Sequence, residues 1–409
     1  MAFLDQYDQA PPDQKFPLVR GWMKSSPLEF FAELRDSRPV LATPEGVLLA
    51  CYADVQEAVL NHEVFSIFPY KDKMGTYLMA QDDTPQHWRE KSIMQSLLNR
   101  DDIPGIRTLV GKLTSDILDQ QANKEIEAVN GVTRKVPVEL VRTYMGFENA
   151  EPDALARWSL ANQWDTFHNQ SFDGNPNADQ LHKDAQAASL ELGAYLTELV
   201  KARAAAIVAG DTRDDVVSRL IKAKYPAEVG FPIDRLIRNV GGLLIGTVET
   251  TSQATAQALQ VLLRRPEILD AALKVIDDTK QFDGFVFEAL RFDPISPYFF
   301  RRCETNYVIG RGQPYETTIP EGAMVLPLVL SAMFDKTVYP DPDKFNPARP
   351  QYKTFHFGMG LHECMGRYIG AVMIPEIIRQ LLKRRNLRAL GPIEFGNSPF
   401  PAKWLLTWS

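Results

Sequence analysis

The chain has 409 residues, 45% hydrophobic and 24% charged, the balance of a globular protein able to bury a large core. Its formal net charge of −7 speaks against a general nucleic-acid binder, which would concentrate Lys and Arg over a phosphate-facing surface. The three cysteines, Cys51, Cys303 and Cys364, cannot all pair, so no disulfide framework is implied and a reducing cytoplasm is the expected setting.

The stretch Met1 to Lys24 is polar and contains prolines, with no apolar run of signal or membrane length. Pro27 to Arg35 carries apolar residues at helical spacing behind a Ser26-Pro27 start and predicts a first helix. Val40 to Tyr52 is apolar, is broken by Pro44-Glu45-Gly46, and predicts a β-hairpin. Tyr52-Ala53-Asp54-Val55 then opens a helix, with Asp54 as the expected cap. Residues 101–285 are mainly helical by period. Within them Asn169 to Asp179 is rich in Asn, Asp, Gly and Pro and is expected to be a mobile loop between two helices.

Pro232 to Leu263 is the longest helical run, with Pro232 suited to the first turn and Pro266 beyond the end. At about 1.5 Å per residue it spans roughly 48 Å. Its surface is apolar around Val240 to Val248, which places that part at the centre of the core. Mixed strands and proline-rich loops follow from Pro294 to Arg349, then a glycine-rich segment, a helix and a final hairpin. No repeat or low-complexity tract intervenes, so residues 1–409 are expected to form one domain. Its β-richer parts fall at about 38–52, at 294–330 and in the C-terminal hairpin.

The most informative segment is Phe357-Gly358-Met359-Gly360-Leu361-His362-Glu363-Cys364-Met365-Gly366. A thiol just ahead of a helix meets unpaired backbone N–H groups and the positive end of the helix dipole, which favours the thiolate. The glycines let the backbone turn sharply against something flat and bulky. A thiolate offered in this way can hold a heme iron from one side. Taken alone, such a cysteine would be read as a structural one buried on a tight turn.

The decapeptide resembles the heme-binding loop of the cytochrome P450 family, Phe-Gly-x-Gly-x-His-x-Cys-x-Gly, through Phe357, Gly358, Gly360, His362, Cys364 and Gly366. The resemblance implies a mainly α fold with small β-sheets: a triangular helical prism with heme b between the long central helix and the helix after the cysteine. Cys364 would be the iron ligand. It also makes the loop at 169–179 the lid over the substrate entrance.

Other segments extend the likeness. Gly246-Thr247-Val248-Glu249-Thr250-Thr251 resembles the family's oxygen-binding groove, which gives Glu249 the acid position and Thr250 the alcohol position of a proton relay. Read by itself, the hexapeptide is a helix whose threonines back-bond to carbonyls. Thr247 stands where the family usually has glycine, which narrows the groove and adds a hydroxyl.

Glu288 and Arg291, one helical turn apart, with Arg349 resemble the network that locks the cysteine face. His87, Lys91, Arg301 and His362 match positions that hold the heme carboxylates, although Arg302 could take the role of Arg301. Beyond Cys364 the family often has Ala-Arg-x-Glu, whereas this chain has Gly370-Ala371-Val372-Met373 followed by Pro375, which is expected to kink the helix.

By the same analogy Leu244, Ile245 and Val248 of the long helix, with Ile295, Tyr298 and Phe299, would face a small, largely apolar or aromatic substrate. Phe65 to Met79 and Asn397 to Phe400 are further candidates. The implied activity is a monooxygenase that uses O2, with hydroxylation or O- or N-dealkylation as the outcome. Electrons would come from NAD(P)H through a reductase and a ferredoxin or flavodoxin. Lys353, Arg349 and Arg367 are either a basic docking patch or a solvated face. The expected protein is a cytoplasmic monomer binding neither nucleic acid nor membrane. A heme-thiolate peroxygenase or isomerase, and a non-catalytic heme protein, are the alternatives.

Overall fold

The computed structural model describes residues 2–409. The described chain is mainly helical, with sheets of five, three and two strands. None of its helices is long and apolar enough to cross a membrane. It packs as two compact units, each assembled from separate stretches of sequence.

The first unit takes the N-terminal stretch through Thr84, with Gln170–Gly174 and Arg291–Cys364. Its polar start is helical over Phe3–Gln9 and Pro12–Ser25. The second helix has Pro12 in its first turn and buries Phe16, Val19 and Met23 on one face. The Glu33 carboxylate accepts from the Phe3 and Leu4 N–H groups at 2.9 and 2.8 Å, which satisfies helix-start donors. The helix with Pro27 at its start runs to Ser37 and buries Phe30, Phe31 and Leu34.

The expected hairpin is formed by Val40–Ala42 and Val47–Leu49, with Val40 opposite Leu49. The second strand pairs in parallel with Met324–Pro327, which pairs in turn with Arg301–Cys303 and, beyond it, Phe65–Ser66. Gly46 lies so close to this sheet that a Cβ there would sit 3.0 Å from the Met324 carbonyl oxygen.

Two local expectations fail in this unit. Asp54 does not cap the Tyr52–Leu60 helix: Cys51 is the cap position, and Asp54 lies inside the first turn, buried. Burial pushes its carboxyl up to about 6, against a hydrogen bond from Tyr315. The polar stretch after His168 is not a free loop, because Phe172 buries itself between Phe16, Tyr298 and Phe300. Arg20 donates to the Phe172 carbonyl at 3.0 Å, and the Gln170 and Asp173 side chains form a capping box around a single helical turn.

The second unit comprises Pro85–Asn169, Asn175–Leu290 and Met365–Ser409. Its axis is the helix Ile233–Leu263, with Pro232 at the cap. The helices Pro152–His168, Ala178–Val208 and Arg367–Leu382 pack on it, and Ile103–Asp119 packs on the last of these. Along the long helix Val240, Gly241, Leu243, Leu244 and Val248 are buried as expected, and burial extends beyond that part. Residues 251–259 are all buried, although they include Ser252, Gln253, Thr255 and Gln257, whereas Gly246 in the expected core is exposed and Ile245 and Thr247 are half-buried.

Pro375 does not interrupt the Arg367–Leu382 helix. Charges tie that helix down: Arg107 reaches Asp283 at 2.8 Å and Glu376 at 3.3 Å, and Arg379 reaches Asp283 at 3.2 Å. Glu125–Glu127, Leu405–Thr407 and Arg388–Ala389 form the small C-terminal sheet. A π-turn over Val129–Thr133 leads from it to the Lys135–Thr143 helix.

Candidate active site

The cysteine loop lies in the first unit, and its glycines have the conformations the sequence demands. Gly358 and Gly360 have φ of +68° and +66°, a region that strains residues with a Cβ. A Cβ on Gly360 would also come within 2.7 Å of the Leu60 side chain. The Cys364 N–H donates to the Phe357 carbonyl at 2.8 Å, which closes the loop, and Cys364 itself is exposed. Gly366 caps the helix that starts at Arg367.

The other thiols are poor ligands. Cys51 is half-buried and pushed up to about 11 by desolvation, and Cys303 is buried, raised, and donates to the Thr305 carbonyl at 3.0 Å.

Strand alternation separates the two neighbouring arginines. Arg302 forms a bidentate pair with Glu304 at 2.9 and 2.7 Å and covers the Phe68 ring. Arg301 is buried and donates to its neighbour's carbonyl at Phe300 with one nitrogen. It stands near Tyr70, whose ring stacks on Phe300 at 4.1 Å. His362 faces Asp82, with Nε2 3.7 Å from the carboxylate. Burial raises the Asp82 carboxyl, but the hydrogen bonds from His362 and the Ile67 N–H, with the charges of His362 and Arg301, hold it below the usual carboxylate range.

Arg291 and Arg349 are both buried and both donate to the Lys344 carbonyl. Arg291 also serves the Met333 and Pro342 carbonyls, and Arg349 those of Pro340 and Asp341. Arg349 is therefore unavailable for a surface docking patch. Glu288 is buried one turn earlier on the helix of Arg291.

In the second unit the helix Pro85–Leu97 buries His87 and Lys91. It is fixed by Glu90, a residue the sequence reading missed. The fully buried Glu90 accepts from Arg235 at 2.7 and 2.6 Å and from Asn239 at 2.7 Å, both on the long helix. A carboxylate at a core-facing position beside Lys91 was the available signal.

The long helix bends its polar groups to local partners. Thr247 and Thr250 each donate to the carbonyl four residues back, Leu243 and Gly246, at 2.6 Å. The Glu249 carboxylate is not turned to open space. It is held by the Arg134 guanidinium at 2.8 and 2.9 Å, while Arg134 also reaches Asn130 and, at 3.2 Å, the Pro401 carbonyl. Desolvation raises the Glu249 pKa against that pair. Arg134 carried no local signal, because it precedes its partner by 115 residues.

Leu244 and Val248 are buried and Ile245 is half-buried, its carbonyl accepting from Gln163 at 2.7 Å. Ile295, Tyr298 and Phe299, in the first unit, are half-buried. The Tyr298 hydroxyl points at Asp173 from 3.5 Å.

A family profile described as Cytochrome P450 matches residues 157–391, more than half of the chain. The chain belongs to the cytochrome P450 family. It is 25% identical to cytochrome P450 107B1 of Saccharopolyspora erythraea, over 87% of this chain and 85% of that one. It is 24% identical to the steroid C26-monooxygenase of Mycolicibacterium smegmatis, over 92% and 88%. Among solved structures, the open form of cytochrome P450 Eryk from S. erythraea superposes with a TM-score of 0.79 at 21% identity, covering 94% and 96%.

This P450 is therefore of the bacterial type, and its family works as heme b monooxygenases. The residues on hand suit that group. The first unit has an exposed cysteine on a glycine cradle and a buried guanidinium at Arg301. The second has the buried His87 and Lys91. These are the donor types that an iron and two carboxylates require.

Proposed function

We propose that Cys364 holds the heme iron as its thiolate and that the protein oxidises a small, largely apolar organic molecule, by hydroxylation or by O- or N-dealkylation. Heme b bound there supplies the reductive activation of O2 and delivery of one oxygen atom. The observation that carries the assignment is the exposure of Cys364 on a closed glycine loop, while Cys51 and Cys303 are held protonated by burial.

His87, Lys91, Arg301 and His362 hold the heme carboxylates, and Phe357, Gly358 and Gly366 shape the loop against the ring. Arg301 takes this role rather than Arg302, whose charge is spent on Glu304. Glu288, Arg291 and Arg349 lock the cysteine side.

Thr250 donates its proton to Gly246, so its oxygen is left to accept from an incoming donor. Glu249 can move a proton only after it parts from Arg134. Leu244, Ile245, Val248, Ile295, Tyr298 and Phe299 present apolar surface to the substrate. Bacterial P450s take electrons from redox partners. For this one a ferredoxin or flavodoxin with an NAD(P)H reductase fits, in a cytoplasmic monomer, with Lys353 and Arg367 as the remaining docking cations.

The test is the ferrous carbon monoxide spectrum of the heme-loaded protein. Wild type is expected to show the red-shifted band of a thiolate-ligated iron, and C364S to lose it while far-UV circular dichroism is unchanged. A C364S protein that keeps the band overturns the assignment.

A further inference from the structure

We propose that His168 is a specificity-determining residue, offering its imidazole to an uncharged hydroxyl or carbonyl group on an otherwise lipophilic substrate. The inference rests on the monooxygenase reading above and deepens it.

His168 ends the helix Pro152–His168, five residues beyond Gln163, which anchors that helix to the Ile245 carbonyl. Its ring stands edge-on to Phe400, with centroids 5.1 Å apart and planes at 87°. Phe400 adjoins Pro401, whose carbonyl accepts from Arg134, the partner of Glu249. The ring is thus set, within one unit, beside the segment that reaches the acid of the long helix.

Among the described residues no hydrogen bond or ion pair reaches either ring nitrogen, and neither nitrogen is sealed from open space. A half-buried imidazole normally finds a partner within the protein. This one is held by an aromatic wall with its polar edge unspent. Desolvation drives its pKa down to about 4, and no neighbouring charge opposes this, so the ring is neutral near pH 7. A neutral imidazole carries one donor and one acceptor. It can satisfy a hydroxyl or carbonyl, but it cannot compensate a buried ammonium or carboxylate.

Cyclododecanol and cyclododecane, which differ by one hydroxyl on the same ring, are titrated into the ferric heme-loaded protein and followed by the heme absorption change. Wild type is expected to bind the alcohol about 2- to 10-fold more tightly than the hydrocarbon, the range of one hydrogen bond. H168F is expected to erase that preference, and H168N to restore part of it.

Nitrogen NMR of histidine-labelled ferrous carbonyl protein gives a second readout, with the His168 signals identified by their loss in H168F. The ring is expected to be neutral at pH 6 and its signals to move on adding the alcohol. A wild type with no preference, an H168F that keeps it, or a ring protonated at pH 6 overturns the proposal. The thiolate carbon monoxide band of the same samples separates that outcome from failure of the heme assignment.

Discussion

Replacing Arg134 with methionine isolates the charge of a buried pair while keeping much of the side-chain volume. Glu249 is 1% exposed and Arg134 12%, and the two make paired contacts at 2.8 and 2.9 Å. Removing the cation leaves a buried carboxylate with no counter-charge, which costs about 3–5 kcal/mol for pairs of this kind. E249M is expected to cost less, because the guanidinium keeps Asn130 and the Pro401 carbonyl. The double variant R134M/E249M removes both charges and is expected to recover much of the loss. The coupling energy should lie toward the upper end of the ~0.5–3 kcal/mol seen for contacting residues.

The assay is equilibrium urea denaturation of the heme-loaded proteins, read by circular dichroism, and pH gives an internal control. Burial already raises the Glu249 pKa, and loss of Arg134 raises it further. The native state then binds more protons than the unfolded chain, so the stability of R134M falls as pH rises and its deficit shrinks as pH falls. A deficit below ~1 kcal/mol at neutral pH, or additive single effects, would refute the reasoning that this pair is a buried, mutually dependent unit.

The two arginines of the Arg301–Cys303 strand should separate cleanly. R301M is expected to lose heme on gel filtration, and R302M to retain it, as judged by the ratio of heme to protein absorbance; equal retention would remove Arg301 from the carboxylate site. At Asp54 the carboxyl is raised to about 6 by burial, so wild-type stability falls as pH climbs through that value. D54N lacks that penalty and keeps an oxygen for Tyr315 to reach. It should gain on wild type as pH rises from ~4 to ~7 in urea melts, and a pH-independent difference would contradict the shift.

Much of the architecture was legible because its determinants are local. Pro27 and Pro232 mark helix starts, the interruption at Pro44-Glu45-Gly46 marks the hairpin, and the long helix ends before Pro266 as expected. The polar N-terminal helices were missed because only one narrow face, Phe16, Val19 and Met23 in the longer one, is apolar. The loop after His168 was misread for a related reason. A single aromatic, Phe172, fixes it, and no composition rule registers one side chain.

The sequence by itself determined the family, the thiol on its glycine loop and the placement of the long helix, since turn chemistry and periodicity are written in adjacent residues. Tertiary structure decided which charges are spent. Glu249 meets Arg134 across 115 residues, and Arg349 is consumed by the carbonyls of Pro340, Asp341 and Lys344. Burial converts Asp54 from a cap into a carboxyl that favours its proton. A charge's partner and its desolvation depend on what folding brings alongside, and spacing along the chain carries no record of either.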